Sequence, residues 1–242
     1  MLLEASGLTI TRPGDSGPVT VVSDASISLS EGTLTDVVGP SGSGKTTLLL
    51  ALARLLPDVR GDLTLEGRPA SDWSPQLWRT RVALLPQTSS MTPGTVADNL
   101  LLPYTLKVRH RVGAAPADAG YAPADATAIT PHPVPTADEL RAALDQVGLA
   151  DIALDRPSAR LSVGQASRVA LLRVLLTAPA VLLLDEPDAA LDNESAAEVA
   201  VMTGEFVREG GAVVRVRHLR TDAGADALFR LDGGRLTEVN AR

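Results

Sequence analysis

Residues 39–46 read Gly39-Pro40-Ser41-Gly42-Ser43-Gly44-Lys45-Thr46, which fits the phosphate-binding pattern G-x-x-x-x-G-K-[ST]. Each residue type has a physical task. Gly42 and Gly44 let the backbone turn sharply, so that successive N–H groups point inward. A helix starting near Lys45 adds unpaired amides and the positive end of its dipole. Lys45 is placed to reach the outer phosphates, and the Thr46 hydroxyl to meet a magnesium ion. Far along the chain, Asp185-Glu186-Pro187 closes the apolar run Val181-Leu182-Leu183-Leu184. Two solvated loop carboxylates would be the plain reading of such a pair alone. With a phosphate cradle in the same chain, Asp185 becomes the candidate holder of the metal, through water, and Glu186 the candidate base for an attacking water.

These residues need a scaffold that brings distant stretches together, and the patterning supplies one. An apolar run, Thr33 to Val38, precedes the glycine-rich turn, and an apolar helix follows it until Pro57. Residues 2–10 and 19–29 alternate apolar with polar around a turn at 12–18, and 61–67 alternate again, which predicts an antiparallel sheet with one wet face. Residues 81–86, 181–184 and 212–216 read as buried strands, and 228–231 with 235–239 as a closing hairpin across Asp232-Gly233-Gly234. Helices are expected from Thr95 to Leu101 and after Thr136, where Leu140, Leu144 and Val147 make one stripe ended by Gly148. Two more are expected over about 164–178 and 193–209. Strands alternating with helices give an α/β fold with a mostly parallel sheet.

Composition narrows the function. Aromatic residues are 2% of the chain and hydrophobic residues 45%, so aliphatic side chains build the core. A formal net charge of -7 argues against broad nucleic-acid binding, and the absence of cysteine excludes disulfides, thiol catalysis and cysteine-ligated metals. Neither a basic leader nor an apolar run of membrane-spanning length is present, so we expect a cytoplasmic protein that meets a membrane only through a partner. Residues 103–135 carry six of the 17 prolines and hardly any large apolar side chain, which predicts a flexible insert over about 110–134. The basic run Lys107 to Arg111 at its edge reads as a solvated stretch, with contact to phospholipid or a membrane partner as the second reading.

The series Leu161-Ser162-Val163-Gly164-Gln165, then Val181 to Pro187, then Ala190-Leu191-Asp192, resembles the signature, Walker B and D-loop sequences of ATP-binding cassette ATPases. The resemblance covers almost the whole chain. It implies a P-loop NTPase (RecA-like) core in 1–87 and 179–242, with an N-terminal antiparallel β subdomain, and an inserted α-helical subdomain in 88–178. It implies ATP held by Gly39, Pro40, Ser41, Gly42, Ser43, Gly44, Lys45, Thr46 and Thr47, with Mg2+ at Thr46, Asp185 and Gln87. Gln87 matches the Q-loop glutamine and His218 the switch histidine, so Glu186, His218, Lys45 and Gln87 form the implied catalytic set. Ser162, Gly164 and Gln165 would close on the ATP of a second, identical ATPase subunit, and Asp192 would link the two sites. The implied activity is ATP hydrolysis driving a separate transmembrane permease, from the cytoplasmic face of the membrane, with 88–102 as the docking surface and no nucleic acid as partner. Residues 92–103 look like those of small exporter ATPases for iron or other metals, while amino-acid and lipid transport stay open.

Four departures stand against the pattern: Val163 for a common glycine, Ser167 for a frequent glutamine, Arg217 for a small hydroxyl residue, and no aromatic to stack on adenine. Arg12 would lie on the base instead, or serve as a turn residue. Two other classes remain: a soluble cassette ATPase outside transport, and a weakly hydrolysing regulatory cassette paired with a different subunit.

Overall fold

The computed structural model describes residues 1–14, 17–88, 90–106, 133–217 and 224–239. The chain divides into two compact units, one of residues 1–87, 179–189 and 203–242, the other of 88–178 and 190–202. The basic run 107–111, nearly all of the predicted insert and His218 lie outside the described residues.

In the first unit, β1 (Leu3–Gly14) and β2 (Gly17–Leu29) pair antiparallel. With β4 (Val59–Leu65) and β5 (Arg68–Pro69) they form a four-stranded sheet in the order β2-β1-β4-β5. Their alternation puts Leu3, Ala5, Leu8, Ile10, Val22, Ile27 and Leu29 inside. The turn predicted over 12–18 is much tighter: Arg12 pairs with Val19, Pro13 with Pro18, and Gly14 with Gly17, so the ladder runs into the stretch whose composition suggested a loop.

The second sheet holds β3 (Leu34–Val38), β6 (Val82–Leu85), β7 (Val181–Asp185), β8 (Ala212–Arg217), β9 (Ala227–Asp232) and β10 (Arg235–Val239) in the order β10-β9-β3-β8-β7-β6. All pairs are parallel except β9 with β10. Every residue of β7 is buried, as its unbroken apolar run requires in a strand covered on both faces. At the sheet centre Asp36 and Arg215 are register partners on β3 and β8 and form a two-pronged ion pair, Nε to Oδ1 at 2.8 Å and Nη2 to Oδ2 at 3.0 Å.

Helix α1 (Lys45–Leu52) follows β3, and it ends before Pro57. Arg54 adopts a left-handed φ of 53°; its N–H donates to Ala51, and that of Leu55 to Leu50, a terminating motif that leaves nothing for the proline to stop. Sequence reading made no assignment for α2 (Pro75–Arg81), which Ser74 caps by accepting from the Leu77 N–H. Its Trp78 donates its indole N–H to Leu52 O at 2.9 Å, and Trp73 meets Trp78 edge to face.

The second unit contains α3 (Val96–Leu101), α4 (Ala137–Gln146), α5 (Val163–Leu175) and residues 193–202 of α6 (Asn193–Arg208). Thr95 and Thr136 make reciprocal capping boxes with Asp98 and Glu139. Leu140, Leu144 and Val147 are buried, and Gly148, at φ 68°, closes α4.

Candidate functional site

The turn between β3 and α1 has a shape only glycine permits at two points. A Cβ on Gly39 would lie 2.1 Å from Leu231 O, and Gly44, at φ 103°, would bring one to 2.9 Å from the side chain of Val21. The Ser43 N–H donates to Pro40 O, while the Ser43 hydroxyl is buried and has no hydrogen-bond partner among the described residues. Lys45 is only 5% exposed, and its ammonium donates to the carbonyls of Gly39 and Pro40 at 2.9 and 3.0 Å. The result is a pocketed cation, an unanswered hydroxyl and the start of a helix on one short loop, a donor set that suits an anion with several oxygens.

The acidic pair comes to the same place. Parallel pairing puts Asp185 at the end of β7, 5% exposed, where its Oδ2 accepts from the Thr46 hydroxyl at 2.8 Å. Glu186 holds a left-handed φ of 48°, unusual for a non-glycine residue, and its N–H donates to Val216 O. Gln87, just past β6, donates from Nε2 to Glu186 Oε2 at 2.8 Å. The Gln87 amide thus rests on the Glu186 carboxylate. Lys45, Thr46, Gln87, Asp185 and Glu186, from three separate stretches of the sequence, share one unit.

Arg12 sits exposed near the tip of the β1–β2 ladder. In the other unit, Ser162 caps α5: its hydroxyl accepts from the Gln165 N–H, and Gln165 Oε1 accepts from the Ser162 N–H. Capping thus uses the Ser162 hydroxyl oxygen and Gln165 Oε1 as acceptors. Gly164 has a packing reason of its own, since a Cβ there would fall 2.1 Å from Ser195 Oγ. Val163 is 65% exposed. Asp192 caps α6, accepting from the Ser195 N–H at 2.8 Å, which holds its carboxyl below the usual range.

The family model for ABC transporter matches residues 22–189, more than half of the chain. The chain belongs to the ABC transporter ATP-binding family. It is 36% identical over 240 residues to the hemin import ATP-binding protein HmuV of Nocardia farcinica, covering 97% of this chain and 75% of the relative. It is 32% identical over 203 residues to the "Probable iron export ATP-binding protein FetA" of Escherichia coli, covering 84% of this chain and 80% of that one. Among solved structures, an ATP-binding subunit of an ABC transporter superposes with a TM-score of 0.75 at 20% identity, over 99% of this chain and 90% of that one, a likeness of fold. The expected P-loop NTPase fold and ATP as ligand hold, and this ABC protein is a transport ATPase.

Sequence reasoning missed one feature next to the acidic pair. Arg217, noted only as a departure, is clasped by Asp188, Nη2 to Oδ2 at 2.6 Å. The signal was an arginine and an aspartate at two positions flanking the site, legible only once β7 and β8 are known to be neighbours.

Proposed function

We propose that this ABC subunit hydrolyses ATP with Glu186 as general base, as one of two identical copies that close around two nucleotides and drive a separate permease. The observation that carries the proposal is the Thr46–Asp185 hydrogen bond, which joins the phosphate loop to the acidic strand end. The triphosphate would lie on the amides of residues 39–47, answered by the Ser43 hydroxyl and by Lys45 once its ammonium swings from the loop carbonyls to the phosphates. Thr46 and Asp185 are the residues that would hold magnesium. No group of three or more metal-ligating side chains occurs among the described residues, so phosphate oxygens and water would complete the ion's shell. Bound there, it would neutralise charge developing on the phosphates. Glu186 would take the proton of the attacking water, and Gln87, already on its carboxylate, would hold it in line. His218 is proposed as the contact to the terminal phosphate, and Arg12 as the support for the base.

Ser162, Gly164 and Gln165, at the start of α5, would meet the partner copy's nucleotide. No helix among the described residues is long and apolar enough to cross a membrane, so we assign the membrane passage to a separate permease docking on residues 88–102, with this subunit on the cytoplasmic face. The helical subdomain in 88–178 would carry that movement, with residues 110–134 as its flexible insert. One relative is named for hemin import and the other for iron export; hemin is an iron porphyrin, and an iron-bearing cargo is our proposal for this transporter.

The test is Mg-dependent ATPase activity of the purified chain with and without its permease, beside Glu186→Gln. We expect the variant to bind ATP normally and to lose turnover. Normal turnover would refute Glu186 as the base.

A further inference from the structure

The loop that leaves β7 is held in an unusual shape. Glu186 sits at a left-handed φ of 48°, and the Ala189 N–H donates back to Glu186 O at 3.2 Å, closing a turn over Glu186–Ala189. A glutamate has no steric licence for that conformation, so something must hold it. Two restraints come from β8. One is the backbone bond from Glu186 N to Val216 O, and the other is the ion pair of Asp188, inside the turn, with Arg217. Its side chains are only 6% exposed for Arg217 and 26% for Asp188, so the pair is dry enough to be rigid.

The geometry points to Asp188 and Arg217 as positioning residues: their ion pair pins the turn after the Walker B strand, and so aims the Glu186 carboxylate at the attacking water. Each would act through Glu186 rather than on the nucleotide itself. Arg217 reaches across from β8 to the loop of β7, and on the same strand, two residues earlier, Arg215 reaches the other way to Asp36 on β3. Arginines at alternate positions of a strand share one face, so β8 ties the strand that enters the phosphate loop to the turn that carries the base. Releasing the clasp lets Glu186 relax to an ordinary φ, and its carboxylate leaves the line of attack while the cradle stays whole.

This inference rests on the reading of Glu186 as general base, and the experiment separates the two. Turnover and nucleotide binding are measured for Arg217→Met, Asp188→Asn, the double variant, Arg217→Lys and Glu186→Gln, with thermal melts to establish folding. Arg217→Met is the safer single change, because it leaves the better-exposed partner to find water. We expect each single variant to lose about tenfold in kcat with KM for ATP within twofold, as a misaimed group does. The double variant should be no worse than either single, and Arg217→Lys should recover most of the loss. Wild-type kcat in Arg217→Met or Asp188→Asn, a matching rise in KM, or additive losses in the double variant would overturn the clasp. If Asp188→Asn fails to fold, the kcat-against-KM split of Arg217→Met and its rescue by lysine still decide. An active Glu186→Gln overturns the base assignment instead, whatever the clasp variants do.

Discussion

The hydroxyl of Thr46 donates to the carboxylate of Asp185 at 2.8 Å, closing a contact between residues 139 positions apart. It joins the first turn of α1 to the end of β7, and the proposed metal would bind where those two oxygens meet.

Asp185→Asn keeps the shape and removes the charge. We expect Mg-dependent turnover to fall about a hundredfold, within the range that electrostatic groups at reacting centres supply, while ATP binding without magnesium persists. A magnesium titration of ATPase activity, beside fluorescent-nucleotide binding, measures both.

Gln87→Leu removes the donor that sits on Glu186. Turnover should drop about tenfold with little change in KM, the pattern of an interaction used in the transition state rather than in binding. Steady-state kinetics on the purified chain give the answer.

The Asp36–Arg215 pair is buried, with side chains 2% and 11% exposed. Asp36→Ala leaves an unanswered guanidinium in the sheet centre, and we expect a loss of about 3–5 kcal/mol. Replacing both residues with apolar ones should recover most of it. Denaturant titrations of the two variants provide the comparison.

At the start of α5, Gly164→Ala should destabilise by about 1–3 kcal/mol through overpacking against Ser195. Ser195→Gly in the same chain should restore stability. If the pair restores the fold but ATPase activity stays low, Gly164 has a nucleotide role beyond packing.

Three carboxyls of the second unit, Asp98, Glu139 and Asp192, are each held below the usual range, first by the N–H groups of Thr95, Thr136 and Ser195. A depressed folded value means the stabilisation is whole above the unfolded range and fades as pH falls through the folded one. Melting temperatures should therefore hold down to about pH 5 and decline below about pH 4. Asp192→Asn, which still offers a cap oxygen, should soften that decline in melts followed by circular dichroism.

Much of this is legible in the sequence. The glycines and Lys45 declare a phosphate loop because few other tasks need those residues at that spacing, and the all-apolar run into Asp185 declares a doubly covered strand. Thr95 and Thr136 announced their helices as capping residues, and their reciprocal partners Asp98 and Glu139 came only with the structure. What stayed hidden depends on tertiary neighbours. Nothing near Arg54 marks it as a helix end, because arginine has no preference for positive φ. The stretch Arg12 to Pro18 looks like a loop by composition, yet its strands pair almost to the tip. Asp188 and Arg217 lie 29 positions apart, and their attraction means nothing until β7 and β8 lie side by side.

The chain's two tryptophans, Trp73 and Trp78, pack edge to face, and Trp78 is bonded to the last turn of the helix that begins at Lys45. Arg54 lies over one indole and Arg68 over the other. The molecule therefore carries a built-in optical reporter on the unit that holds the phosphate loop. Emission from these rings can follow events at the far end of that helix without any attached dye, and the unit bearing the signature residues adds no tryptophan signal of its own.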